Sequence, residues 1–234
     1  MSVVIARQLK KTYISGDITV NAIQGVDFNI EPASFVSFIG PSGSGKSTLL
    51  NMIGCLDPPT EGTLQVAGKE ITNLNRKEAA LFRGKNIGFV FQDFNLIPVL
   101  SVFENVEYPL LMVQNWSKEK REKRVLDLLD AVGMADQANK KPSQISGGQK
   151  QRVAVARALV TNAKLVLADE PTANLDRETA NRIIGLMKQM RDDFQTTFIF
   201  STHDPRIVEN VEITFTLEDG KFTSHTDNHG GDHV

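Results

Sequence analysis

The chain has 234 residues, a formal net charge of −2 and a single cysteine, Cys55. That length suffices for one domain with a sizeable core and room for an inserted subdomain. The charge gives no overall attraction to nucleic acid or to an anionic lipid surface, a lone thiol excludes an internal disulfide, and no run of about 18 apolar residues can cross a bilayer.

The first third is rich in strand signals. Residues 3–9, 26–30 and 34–39 are short apolar runs bounded by Gly, Pro, Asn and Asp. The third run enters Gly40-Pro41-Ser42-Gly43-Ser44-Gly45-Lys46-Ser47, which fits G-x-x-x-x-G-K-[ST] in full. Such a loop turns successive backbone N–H groups inward to make a concave anion site. Lys46 adds a positive charge for β- and γ-phosphates, and the Ser47 hydroxyl can ligate Mg²⁺. A helix follows from Thr48, its positive N-terminus facing the anion. A strand at 63–66 and a buried strand at 87–91 complete this part.

From Gln92 to Val160 the pattern reads as mostly helical. A helix over 101–113 carries Ser101 and Glu104 as a capping box. A second, over 118–132, places Val125, Leu128, Leu129 and Val132 on one face. Its alternating charges read as a solvated face, not a nucleic-acid patch. Ser146-Gly147-Gly148-Gln149 then precedes a helix over 150–160. Ser146 can serve as a plain N-cap, yet two glycines at a helix start also expose N–H groups to an anion.

The last third returns to alternation. A strand at 165–168 ends in Asp169 and Glu170. In a parallel sheet ligands sit at the carboxyl ends of strands, so these acids should face the phosphate loop. Asp169 suits Mg²⁺, directly or through water, and Glu170 suits orienting the attacking water. A helix over 177–194 buries Ala180, Ile183, Ile184, Met187 and Met190. A strand at 197–201, a short helix, a strand at 213–217, a Glu-Asp-Gly turn and a strand at 221–224 follow. Strands alternating with helices around a phosphate loop imply a mostly parallel sheet with helices packed on it. The tail from Thr226 is polar and reads as disordered. Its His225, His229 and His233, with Asp227 and Asp232 between, form an incidental cluster of metal-binding types.

With these motifs together, the sequence resembles the ATP-binding cassette (ABC) ATPases over nearly its whole length. The phosphate loop corresponds to their Walker A. LVLADEPTANLD (165–176) resembles Walker B and the D-loop, and PSQISGGQKQR (142–152) resembles the signature motif, with Ile145 where Leu is usual. Gln92 stands at the Q-loop position, Ser201-Thr202-His203-Asp204 resembles the switch-histidine segment, and Tyr13 stands where the family stacks an aromatic ring on adenine. NMIGCLDPPTEGTLQVAGKEI and FRGKNIGFVFQDFNLIPVLSVFENVEYPL are similar to the MacB/LolD/FtsE-type branch.

The resemblance implies an α/β fold. Its P-loop NTPase (RecA-like) core, with an antiparallel β subdomain, would span 1–91 and 161–225. An α-helical subdomain would be inserted at 92–160 and a tail would occupy 226–234. It implies ATP and Mg²⁺ as cofactors, with Ser47, Gln92 and Asp169 toward the metal. Catalytic roles fall on Glu170, His203 and Gln92. Nucleotide contacts fall on Tyr13, Gly40 through Thr48, Ser146, Gly147, Gly148, Gln149 and Asp176. Two copies would pack head to tail, each ATP lying between the Walker A of one and the signature motif of the other. The implied partner is a separate FtsX/MacB-like permease, with no nucleic acid. That would hold an otherwise cytoplasmic chain on the inner face of the membrane for export, lipoprotein release or mechanical work. A cassette without a permease, of the assembly-scaffold type, is the alternative.

Overall fold

The computed structural model describes residues 1–113, 115–227 and 231–232. A long hairpin of β1 (Val4–Ser15) and β2 (Ile18–Ile30) opens the chain. Next come β3 (Phe35–Ile39), α1 (Lys46–Ile53), β4 (Glu61–Val66), β5 (Lys69–Glu70), α2 (Arg76–Asn86) and β6 (Ile87–Phe91). The helical stretch is α3 (Val102–Val113), α4 (Lys118–Ala131) and α5 (Gly147–Leu159). The chain then runs through β7 (Leu165–Asp169), α6 (Arg177–Phe194), β8 (Thr197–Ser201) and α7 (Pro205–Val208). It finishes on β9 (Ile213–Glu218), β10 (Lys221–Asp227) and β11 (Gly231–Asp232).

Two sheets form. The larger has the order β11-β10-β9-β3-β8-β7-β6, and the smaller has the order β2-β1-β4-β5. From β9 to β6 every pairing is parallel, while β10 and β11 extend the far edge antiparallel. The smaller sheet is antiparallel throughout.

The parallel strands are apolar on both faces because both are covered. Side chains alternate between the two cores. Val166, Ala168, Phe198 and Phe200 pack toward α3, α4, α5 and α6, while Leu165, Leu167 and Ile199 pack toward α1 and the smaller sheet. The helices at 102–159 thus share one continuous core with a face of the main sheet. Helix α5 approaches β6 closely. A Cβ on Gly88 would lie 2.1 Å from the Ala158 carbonyl oxygen.

Several boundaries differ from the sequence expectations. The expected strand at 3–9 continues to Ser15, and the one at 26–30 begins at Ile18. Tertiary pairing keeps Lys11 in the strand, since it is buried and ion-paired to Asp57 at 2.5 Å. Helix α2 was not expected. It buries only Phe82 and so carries little apolar periodicity, although Asn75 and Glu78 form its capping box. Helix α5 begins at Gly147 instead of Lys150, capped by Ser146. Thr226 and Asp227, expected in a disordered tail, close the β10 pairing with β9. His225 stacks on Phe215, ring centroids 4.5 Å apart, while His229 and His233 lie outside the described residues.

Two glycine substitutions test this packing in opposite directions. Gly88→Ala should destabilise the fold by about 1–3 kcal/mol, because the α5 backbone must move. Gly185→Ala should stabilise it by about 0.5–1 kcal/mol, since a Cβ there meets none of the described residues within 4 Å on an exposed face of α6. Urea denaturation of both variants checks the pair.

Candidate functional site

The parallel register sets the site. Phe91 lies opposite Asp169, Asp169 opposite Ser201, and Ser201 opposite Phe38. Four adjacent strands therefore end level, and the loops that leave them start side by side. These loops carry Gly40 to Ser47, Gln92, Glu170 and His203. All four contribute to a cleft of about 1150 Å³ that Tyr13, Asp169, Asp219 and Gly220 also line.

The phosphate loop is held from behind. Gly40 and Gly45 have φ of 145° and 107°. A Cβ would come within 2.0 Å of the Leu217 carbonyl oxygen at Gly40 and 2.5 Å of the Ala22 carbonyl oxygen at Gly45. Only glycine fits either place. The Gly220 N–H donates to the Ser44 carbonyl at 3.0 Å, so the β9–β10 turn braces the loop. Lys46 Nζ donates to the carbonyl oxygens of Gly40 and Pro41, both at 2.8 Å, and so lies folded across the loop mouth. Ser44 Oγ is buried with no partner among the described residues. A cationic amine and an unpaired hydroxyl in a glycine cradle at the start of α1 fit a polyphosphate.

Ser47 Oγ lies 3.3 and 3.4 Å from the two carboxylate oxygens of Asp169. A hydroxyl beside a carboxylate is a hard oxygen pair, the donor set that Mg²⁺ takes in company with phosphate oxygens. Glu170 stands in the left-handed region at φ 44°. Its Oε1 meets His203 Nδ1 at 2.6 Å, and its Oε2 accepts from the Thr202 hydroxyl at 2.9 Å. The Tyr13 hydroxyl donates to Asp57 Oδ2 at 2.6 Å, and Lys11 Nζ sits 4.9 Å from the centre of the same ring. Burial first, then the Asp57 acceptor, pushes the Tyr13 phenol above its ordinary value. Cys55, away from this cleft, has its thiol pushed up to about 11 by burial.

Beyond the phosphate loop, where Ser44 is buried under the cleft floor rather than lining it, five expected residues are not brought to this cleft. Ser146, Gly148 and Gln149 line a separate hollow of about 460 Å³ with Gly133, Arg152, Thr179 and Arg182. The Ser146 hydroxyl accepts from the Gln149 N–H at 3.3 Å, and Gln149 Oε1 accepts from the Ser146 N–H at 2.9 Å. Gly148 is fixed by contact, because a Cβ would lie 2.4 Å from Thr179 Cγ2. Gly147 is not, since its Cβ would meet nothing nearer than 3.7 Å. Asp176 caps α6, accepting from the Thr179 N–H at 3.0 Å, and the Thr179 side chain first, then that N–H, hold its carboxyl below the usual range.

Sequence reasoning missed Asn21, Gln24, Asp219 and Gly220, which reach the cleft from β2 and from the β9–β10 turn. The Glu-Asp-Gly turn was visible, but nothing local says that it backs a loop 176 residues earlier, as the Gly220–Ser44 contact shows. Asp57 and Thr202 were missed as supports because their partners are distant in sequence or already assigned.

This geometry is that of an ABC cassette, and the chain belongs to the ABC transporter family, whose model matches residues 23–173. It is 44% identical over 218 residues to an uncharacterized ABC transporter ATP-binding protein, MJ0796, of Methanocaldococcus jannaschii, covering 92% of this chain and 93% of that one. The dimeric post-hydrolysis structure of the MJ0796 cassette bound to ADP and Pi superimposes with a TM-score of 0.88 at 42% identity, over 97% of this chain and 100% of that one. The lipoprotein-releasing system ATP-binding protein LolD of Pseudoalteromonas translucida is 40% identical over 227 residues, 97% of each chain. The macrolide export ATP-binding/permease protein MacB of Rhodopseudomonas palustris is 41% identical over 219 residues, which are 94% of this chain and 33% of that protein. The chain is thus an ATPase cassette of the MacB/LolD type. No helix among the described residues is long and apolar enough to cross a membrane.

Behind the site, Asp204 anchors the segment that carries His203. Burial pushes its carboxyl up, but the Arg206 guanidinium, the Thr172 hydroxyl and the Arg206 N–H outweigh burial and hold it at about 2, against an ordinary 3.8. A depressed folded value means stability that is present above the unfolded value and lost as pH falls through the folded one. Asp204→Asn should therefore cost about 2 kcal/mol at pH 7. The gap should close as pH falls from near 4 toward 2. Urea melts of both chains across that range check it.

Proposed function

We propose that this chain acts as one of two identical copies that bind and hydrolyse ATP between them and drive a separate membrane permease. The observation that carries this is the separation of two phosphate-type surfaces on one chain. The Gly40–Ser47 cradle opens into one cleft, and Ser146, Gly148 and Gln149 of the second helix start line another. One chain acting on one nucleotide needs only the first. Gly147 supports this reading, because no neighbour among the described residues requires a glycine there. A partner's γ-phosphate is a group that would.

In this reading the loop amides and Lys46 hold the phosphates, and Tyr13 stacks on the base with its hydroxyl tied to Asp57. Mg²⁺, held by Ser47 and Asp169 with Gln92 nearby, would neutralise charge on the phosphates. Glu170 accepts the proton of the attacking water. His203, with its side chain 78% exposed, is free to leave Glu170 for the γ-phosphate. Asp176 and the signature residues contribute to the partner's site.

The permease reading draws on the likeness to LolD and MacB and on exposed side chains. Past Gln92 in the chain, Tyr108, Leu111 and Met112 of α3 and Val99 before it are exposed, apolar side chains suited to a cytoplasmic helix of an FtsX/MacB-like protein. The chain would thereby sit on the inner face of the membrane. The stretch 92–160 would move as a helical subdomain against a core of 1–91 and 161–225.

Glu170→Gln tests the proposal. It should keep ATP affinity while slowing hydrolysis on the order of 10²-fold or more, as for a lost general base. The variant with Mg-ATP should elute as a dimer in size-exclusion chromatography. A monomer under those conditions would remove the two-copy reading, and Lys46→Ala should fail earlier, at nucleotide binding.

A further inference from the structure

We infer that Thr202 is a positioning residue for Glu170, committing one carboxylate oxygen so that the other faces the reaction. The inference rests on the proposed role of Glu170 as base. Thr202 is fully buried, and its hydroxyl donates to Glu170 Oε2 at 2.9 Å. Thr202 Oγ1 in turn accepts from the Asp204 N–H at 3.0 Å. A hydroxyl has a single proton to donate. With Asp204 supplying a donor from one side, that proton is directed at Glu170.

The arrangement is rigid on the Thr202 side. The Thr202 N–H donates to the Phe38 carbonyl at 3.2 Å, which ties it to the end of β3. Asp204 is itself fixed, accepting from Thr172 Oγ1 at 2.6 Å and from Arg206 Nε and Nη2 at 2.8 and 2.6 Å. Glu170 donates its N–H to the Ser201 carbonyl at 2.9 Å. On the Oε1 side the contact is His203, whose side chain lies in solvent. The two oxygens therefore differ: Oε2 has a buried, anchored donor, and Oε1 has an exposed, releasable one. Oε1 is the oxygen that takes the proton. Water oxygen bonds to the γ-phosphorus, the β–γ bridging bond breaks with its electron pair leaving on ADP, and one water proton passes to Oε1. Without the Thr202 donor the carboxylate can rotate, and neither oxygen is held for that transfer.

The test compares Thr202→Val, Thr202→Ser and Glu170→Gln in the full chain with Mg-ATP. Thr202→Val should lower kcat on the order of 10-fold, the scale of one hydrogen bond to a charged group, with KM within about 2-fold. It should also raise the ATP-bound dimer fraction in size-exclusion chromatography above that of the unmodified chain, because ATP persists longer. Thr202→Ser restores the hydroxyl and should recover most of kcat. If Thr202→Val does not fold, Thr202→Cys, similar in size with only a weak donor, takes its place.

A slow Glu170→Gln beside a Thr202→Val of unmodified kcat overturns the assignment of Thr202 alone. So does a Thr202→Ser as slow as Thr202→Val, or a raised KM with kcat unchanged. An unmodified rate in Glu170→Gln overturns the reading of Glu170 beneath it.

Discussion

The constraint on which the site depends is the level ending of four parallel strands. With Phe38, Phe91, Asp169 and Ser201 in register, the loops after β3, β6, β7 and β8 emerge together at one edge. A one-residue slip in any strand would turn its apolar side chains onto the wrong core and move its loop out of the cleft. The alternation of Leu165, Val166, Leu167 and Ala168 between two cores locks that register. The chemistry at the edge is thereby held by hydrophobic packing some distance below it.

Helix α5 carries this order from the cleft to the signature motif. Its Gln151, fully buried, donates to the Pro171 carbonyl at 2.7 Å, one residue past Glu170. Its Arg157 donates to the carbonyls of Phe94 and Asn95, which follow Gln92 and both have positive φ. Asn174 of the D-loop closes the same segment by donating to the Gln92 carbonyl at 3.1 Å. A helix that starts at Ser146 thus touches the supports of both Gln92 and Glu170. A shift at the Ser146 end would be felt at both supports, since such packed elements shift as units.

Much of this was legible in the sequence, and the reasons are local. The phosphate loop, the acids at the end of β7 and the bounds of α6 follow from turn chemistry and strong periodicity over short spans. What stayed hidden depends on partners distant along the chain. The long β1–β2 hairpin holds a buried Lys11 because Asp57 and the Pro58 carbonyl, 46 and 47 residues on, take its amine. The brace from Gly220 to the loop at Ser44 has no local signature at all. Ser146 illustrates a different limit. Its plain reading as an N-cap is correct, and it leaves the phosphate reading open, because a cap and an anion can share a helix start.

The central claim is that the cleft is half of a site that a second copy completes. Complementation by mixing tests it most directly. A chain with Lys46→Ala lacks its own phosphate lysine, and a chain with Gly147→Asp places a carboxylate where the partner's γ-phosphate would lie. Each alone should hydrolyse ATP at a small fraction of the unmodified rate. Mixed in equal amounts, they form one intact composite site in each mixed dimer, and with random pairing activity should return to about a quarter of the unmodified value. A mixture no more active than its components, or a Gly147→Asp chain fully active alone, would contradict the account.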